Sequence, residues 1–183
     1  MRIFIAAVIV GALSHGISAQ GISAQVLTDA EFVLKAAQGG HYETESGKLG
    51  ASKAANGAVK AFAERMITDH SAANDELVQL AASKGISITH GACGAPALNA
   101  RAAGAEFDRE FMHRMVRSHE DTLDLFEGES RNGKDADIRA WASSKLPALR
   151  EHLREAREIY SKAYRIEYTL KQRALKKTGA ASF

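Results

Sequence analysis

The sequence predicts an all-α fold: one four-helix bundle with an extended C-terminal helix. Three observations carry this. Apolar residues recur at the 3.6-residue helical period in four long segments. Ala is abundant while Pro occurs only twice, and β-branched residues thin out after the first 30 positions. That balance favours helices over sheets. At 183 residues the chain is long enough for one well-buried core with short appendages. Its 24 basic and 22 acidic side chains leave a formal charge of +2, so no global field recruits nucleic acid.

Residues 1–24 read as a signal peptide. Arg2 supplies the positive start, and Ile3 to Leu13 is apolar and uncharged. The unit Gly-Ile-Ser-Ala-Gln then occurs twice, from Gly16 and from Gly21, and offers cleavage after Ala19 or Ala24. The apolar run is too short to span a bilayer, so no transmembrane segment is expected. No Cys follows it closely, which argues against a lipoprotein. Export to the periplasm, or secretion, is the expectation. Residues 25–160 then form the helical domain and residues 161–183 a basic helical tail.

The first helix starts at Thr28 or Asp29, either of which suits a cap, with Glu31 favourably placed in the first turn. Phe32, Ala36, Gly40, Glu43, Gly47, Gly50 and Ala54 share one small, Gly-rich face that lets another helix approach closely. Asn56-Gly57 reads as its end. The second helix runs from about Ala58 to Lys84 and stops at Gly85. Val59, Phe62, Ala63, Met66, His70, Ala73, Leu77 and Leu80 form its stripe, with Lys60, Glu64, Asp75 and Gln79 on the polar side. Residues 86–103 hold Gly91, Gly94 and Pro96 without a clear period and form a long connection.

The third helix spans about Ala105 to Asn132, with Phe107, Phe111, Met115, His119, Thr122 and Phe126 on one face. Asp135 or Asp137 opens the fourth, which turns Ile138, Trp141, Leu146, Leu149, Leu153, Ala156 and Tyr160 inward. Pro147 lies inside it and predicts a kink near Ser143 to Pro147. The helix then continues to about Lys177. Two hairpins, residues 28–84 and 105–160, joined by one long link, match the plan of a ferritin-like bundle.

Histidine placement is the most informative chemical feature. Met66 stands one turn before His70, and Met115 one turn before His119, both on apolar stripes. His152 lies at a comparable depth in the fourth helix, and Glu43 on the inner face of the first. Three imidazoles and a carboxylate, one from each helix, would suit copper, zinc or iron, and the two thioethers would bias the set towards copper. Asp69 and Glu120 are candidates to orient the rings. A sequence neighbour points about 100° away on a helix, which weakens that idea. Di-iron bundles take a Glu three residues before each ligand His, whereas Ile67, Val116 and Leu149 occupy those positions here. The alternative is structural: core His packed as neutral rings, and Met as gap filler.

The stretches "EFVLKAAQGGHYETESGKLGASKAANGAVKAFAERMITDH", "FDREFMHRMVRSHEDTLDLFE" and "LPALREHL" resemble the domain of unknown function 4142 family, in the family's order and over about residues 28–160. The resemblance implies a ferritin-like helical bundle, usually exported by bacteria, with no established reaction. Its motif positions fall on Glu43, Gly47, Met66, Asp69, His70, His119, Pro147 and His152. The chain departs from it in the Gly/Ala-rich connection "THGACGAPALNARAAG" and in its long basic tail.

The single cysteine, Cys93, has no internal partner for a disulfide. It reads as a thiol in a Gly-rich loop, with metal ligation beside His90 or an intermolecular bridge as alternatives. In the tail, Lys162, Arg165, Lys171, Arg173, Lys176 and Lys177 face only Glu167, and Tyr160, Tyr164 and Tyr168 repeat every four residues. Such a helix suits an anionic envelope surface, its own bundle or a second copy of the chain. No nucleotide-binding Gly motif or Ser/His/Asp pattern appears. The functional readings, in order, are an exported metal-binding bundle, a non-catalytic structural or stress-related envelope protein, and a metal-dependent oxidase or peroxide-handling enzyme.

Overall fold

A computed structural model of the chain describes residues 27–88 and 102–177, with no side chains described at 163, 164 and from 166 onward. Residues 1–24, expected to form a signal peptide, Cys93 with His90, and most tail side chains therefore lie outside the described residues. Four helices follow in order: α1 (Asp29–Lys53), α2 (Gly57–Ser83), α3 (Gly104–Asn132) and α4 (Ala136–Lys177).

Three of the four begin where a polar side chain takes up the free amides of the first turn. At α1 the Thr28 hydroxyl accepts from the Glu31 amide while the Glu31 carboxylate accepts from the Thr28 amide, a reciprocal capping box. At α2 the Asn56 side chain accepts from the Ala58 amide. At α4 the Asp135 carboxylate accepts from the amides of Asp137 and Ile138. Asn56-Gly57 thus starts α2 instead of ending α1, which stops at Lys53 with the Ala54 amide bonded to the Gly50 carbonyl. Asn serves a helix start and a helix end alike, so the dipeptide alone did not tell them apart.

Helix α1 packs chiefly on α2, and α3 chiefly on α4; α1 meets α3 and α2 meets α4 across the bundle. Helices α2 and α3 therefore stand diagonally, as a long link between two hairpins requires. Gly47 and Gly50 allow the close approach of α1. A Cβ at Gly47 would lie 2.8 Å from the Ala63 carbonyl oxygen, and one at Gly50 would lie 2.6 Å from the Phe111 ring.

The two turns are held from the opposite hairpin. Asp108 of α3 accepts from the amides of Ala55 and Asn56 at 3.0 and 2.8 Å. Asp29 of α1 accepts from the amides of Lys134 and Asp135 at 2.7 and 2.9 Å.

The core has two apolar clusters. One gathers Phe62, Met66, Phe107, Phe111, Met115 and Ile159. The other gathers Phe32, Leu77, Phe126, Ile138, Ala142 and Leu149. Along each helix the residues of one cluster give way to those of the other at Glu43, His70, His119 and His152, all buried. The inward stripes expected from the sequence are buried in large part, although Gly40, Ala54, Ala73, Leu80, Thr122, Trp141 and Tyr160 are only half-buried.

Helix α4 runs 42 residues, about 63 Å at the usual rise, without interruption at Pro147. Proline has no amide hydrogen for the Ser143 carbonyl, but Ser143 is exposed and water can take it up. None of the helices is long and apolar enough among the described residues to cross a membrane.

Replacing Gly47 with Ala sets a methyl group against α2 backbone. Urea unfolding should show a loss of about 1–3 kcal/mol, the usual cost of overpacking. A gain, as from a helical Gly replaced by Ala on an open face, would contradict this packing.

Candidate metal centre

His70, His119 and His152 come from α2, α3 and α4 and meet in the layer between the two apolar clusters. Their ring centroids lie 5.5–5.6 Å apart pairwise. One nitrogen from each ring can be chosen so that all three lie within 4.8 Å of one another, and all three residues are buried.

Two of the rings have their tautomers set by neighbours. The His119 Nδ1 lies 2.8 Å from the Met115 carbonyl oxygen. A carbonyl only accepts, so Nδ1 carries the proton and Nε2 keeps its lone pair. His152 Nε2 lies 2.8 Å from an Asp69 carboxylate oxygen and donates to it, which leaves the lone pair on Nδ1. Among the described residues, the buried atoms without a hydrogen-bond partner include His119 Nε2, His152 Nδ1 and His70 Nε2. Each of the three rings thus has one unsatisfied nitrogen.

Electrostatics keeps these rings neutral. Burial pushes His70 down to about 3, helped by the neighbouring His119 and His152 rings. Burial likewise lowers His119 and His152, against the opposing pull of Glu43 on the first and of the Asp69 hydrogen bond on the second. Asp69 itself is lowered: burial works to raise it, but the hydrogen bonds from His152 and Arg65 outweigh that. Neutral imidazole is the form that ligates a metal, so no proton has to be displaced at neutral pH.

Asp69 is the residue whose role the sequence pattern least disclosed. It does not serve its neighbour His70 but reaches across to α4. Arg65, one turn earlier, holds it at 3.2 Å and also binds Glu155 at 2.8 Å. The spacing of Arg65 and Asp69 on one helix face was the available signal. Glu120, the other candidate, pairs with Arg157 at 2.7 Å.

Glu43 is 2% exposed and lies beside the cluster, its Oε1 3.8 Å from His119 Nδ1. That nitrogen faces away from the lone-pair side of the ring, and Glu43 is not part of the three-residue set. Burial raises its carboxyl group, against the influence of His119 and of the nearby Ser118 hydroxyl. Ser118 does not reach full hydrogen-bond geometry, since both carboxylate oxygens lack a partner. Met66 and Met115 are fully buried in the apolar cluster one turn away, and Met115 contributes its carbonyl to the cluster. A Glu-x-x-His does occur in the chain, Glu110 to His113, but away from this centre. His113 is exposed beside Tyr160, and Glu110 pairs with Arg114.

The family described as Domain of unknown function (DUF4142) matches residues 16–159, most of the chain, and the chain belongs to it. No curated protein matches the chain. Among solved structures, that of a conserved hypothetical protein from Mycobacterium tuberculosis is similar, with a TM-score of 0.60 and 15% identity over 73% of this chain and 90% of that one. That likeness shows a shared fold.

The lowered histidines have a consequence for stability. Below pH 6.5 the unfolded chain takes up protons that the folded core refuses, so stability falls as pH drops from about 6.5 towards about 3, the window of His70. Glu43, raised in the folded state, works in the opposite direction above its ordinary value of 4.5. Glu129, raised to about 7 by burial and by Asp29, acts in the same sense as Glu43, so the His70→Gln comparison is what isolates the contribution of the rings. Melting of the metal-free protein between pH 7.5 and 5 should show a falling Tm, and a shallower fall in His70→Gln. Equal slopes would exclude the neutral buried rings.

Proposed function

We propose that this member of the DUF4142 family is an exported protein that holds one transition-metal ion in its bundle core through His70, His119 and His152. The observation that carries the reading is the convergence of three buried, neutral imidazoles, each with a nitrogen that has no partner among the described residues. A buried polar atom left unsatisfied costs about 1–3 kcal/mol, and one ion would satisfy three together. The Asp69–His152 hydrogen bond is the kind of support that orients a metal-ligating ring and raises its basicity. A tetrahedral set at metal–nitrogen distances of about 2.0–2.1 Å places its donors about 3.4 Å apart. The nitrogens, now within 4.8 Å of one another, would draw inward on binding.

Imidazole ligands suit zinc, copper or iron. Glu43 is the available carboxylate beside the set, and Met66 and Met115 are the thioethers that would favour copper. Export rests on residues 1–24, and the intact mass of periplasmic material should show cleavage after Ala19 or Ala24. The basic end of α4 is the part of the chain suited to an anionic envelope surface or to a second copy.

Elemental analysis of the untagged chain should find about one equivalent of copper, zinc or iron, lost in His70→Ala and in His119→Ala. Asp69→Asn should weaken affinity about 10–100-fold while the fold is retained. Metal-free protein that folds normally and takes up none of these ions would leave the histidines a packing role only.

A further inference from the structure

The histidine layer is open on one side. A cavity of about 310 Å³ reaches it, with Glu43, Asp69, His70 and His152 on its wall. The rest of that wall is largely apolar, including Ala36, Leu125, Phe126 and Leu149. Lys35 and Glu76, both exposed, mark its mouth. His119 does not line it, so an ion held by the three rings would present its free side between His70 and His152. Sites that keep three protein ligands and one open position are the ones that take up an exogenous molecule. The size is that of a pocket for a small organic ligand.

Two features mark this space as a built site. Both Glu43 oxygens are buried without a hydrogen-bond partner among the described residues, on the wall of the cavity. They supply acceptors to whatever enters. In addition, α1 has Gly39 on that wall, and a Cβ there would meet nothing within 4 Å. A larger residue therefore has room at this position on the cavity wall.

We propose that the cavity binds a small uncharged molecule with an apolar body, which ligates the metal through a lone pair and donates an N–H hydrogen bond to Glu43. Azoles that carry an N–H represent this class. The inference rests on the three-histidine metal site and adds its open position, its access path and the chemistry of its ligand.

The test uses the full chain loaded with cobalt(II), whose visible spectrum reports its ligands, and two isomeric probes. 4-Methylimidazole keeps an N–H after ligating a metal, and 1-methylimidazole has none. At mildly alkaline pH, where both are neutral, 4-methylimidazole should shift the cobalt bands saturably while the metal stays bound. 1-Methylimidazole should bind about tenfold more weakly, within the usual worth of one hydrogen bond. Gly39→Phe should retain cobalt yet weaken 4-methylimidazole by more than tenfold. Gly39→Leu serves if the Phe variant fails to fold, and the comparison of isomers stands without either. A chain that takes up no cobalt overturns the metal site and the pocket with it. Cobalt bound with a spectrum that neither probe moves, or cobalt stripped by the probe, overturns the pocket alone. Equal affinity for the isomers removes Glu43 from the role, and an unaffected Gly39 variant removes the cavity.

Discussion

A layer of polar side chains buried across the middle of the bundle is the constraint on which the rest of the structure depends. Glu43, His70, His119 and His152 come one from each helix and are nearly inaccessible to solvent. Burying such groups is unfavourable unless they are satisfied. The fold tolerates them because apolar clusters lie on both sides, with Phe62, Phe107 and Phe111 on one and Phe32 and Phe126 on the other. Each fully buried side chain of this kind contributes roughly 1.5–3 kcal/mol. The layer also fixes how the four helices slide against one another. A shift of one turn in any of them would set a buried polar side chain against an apolar cluster.

Within the layer, satisfaction is partial and directional. One nitrogen of His119 is bonded to its own helix, through the Met115 carbonyl. One nitrogen of His152 is bonded to a neighbouring helix, through Asp69, which Arg65 in turn holds. Arg65 then ties the same network to α4 through Glu155. The result is a cluster in which two rings are oriented by bonds to groups outside it, while each of the three keeps a buried nitrogen with no partner among the described residues. A packing role alone explains the bonded nitrogens but not the unbonded ones.

Periodicity made the helices and the depth of the histidines legible. His70 and His119 fall on apolar stripes, and Glu43 recurs with the small residues of α1, so their burial could be read directly. Partnerships between helices could not. Asp69 looked like a neighbour of His70 because sequence gives adjacency along one helix and nothing about rotation against another. The same applies to Asp108, a buried charge on α3 that has no meaning until the α1–α2 turn lies beside it. Asn56-Gly57 was read as the end of α1 instead of the cap of α2 because local chemistry allows both roles. The cavity was invisible for a related reason: it arises from what Ala, Gly and Leu on separate helices leave unfilled.

The crossed aspartates at the two turns bear on how the chain acquires its fold. Asp29 opens the first hairpin yet secures the turn of the second, and Asp108 does the reverse. Neither hairpin has its turn amides satisfied by the same carboxylates when it stands alone. Local fraying of one turn therefore loosens the start of a helix in the other half, and loss spreads between halves instead of stopping at the long link. The two hairpins are thereby coupled into a single cooperative unit, in which an isolated half is a poor folding intermediate.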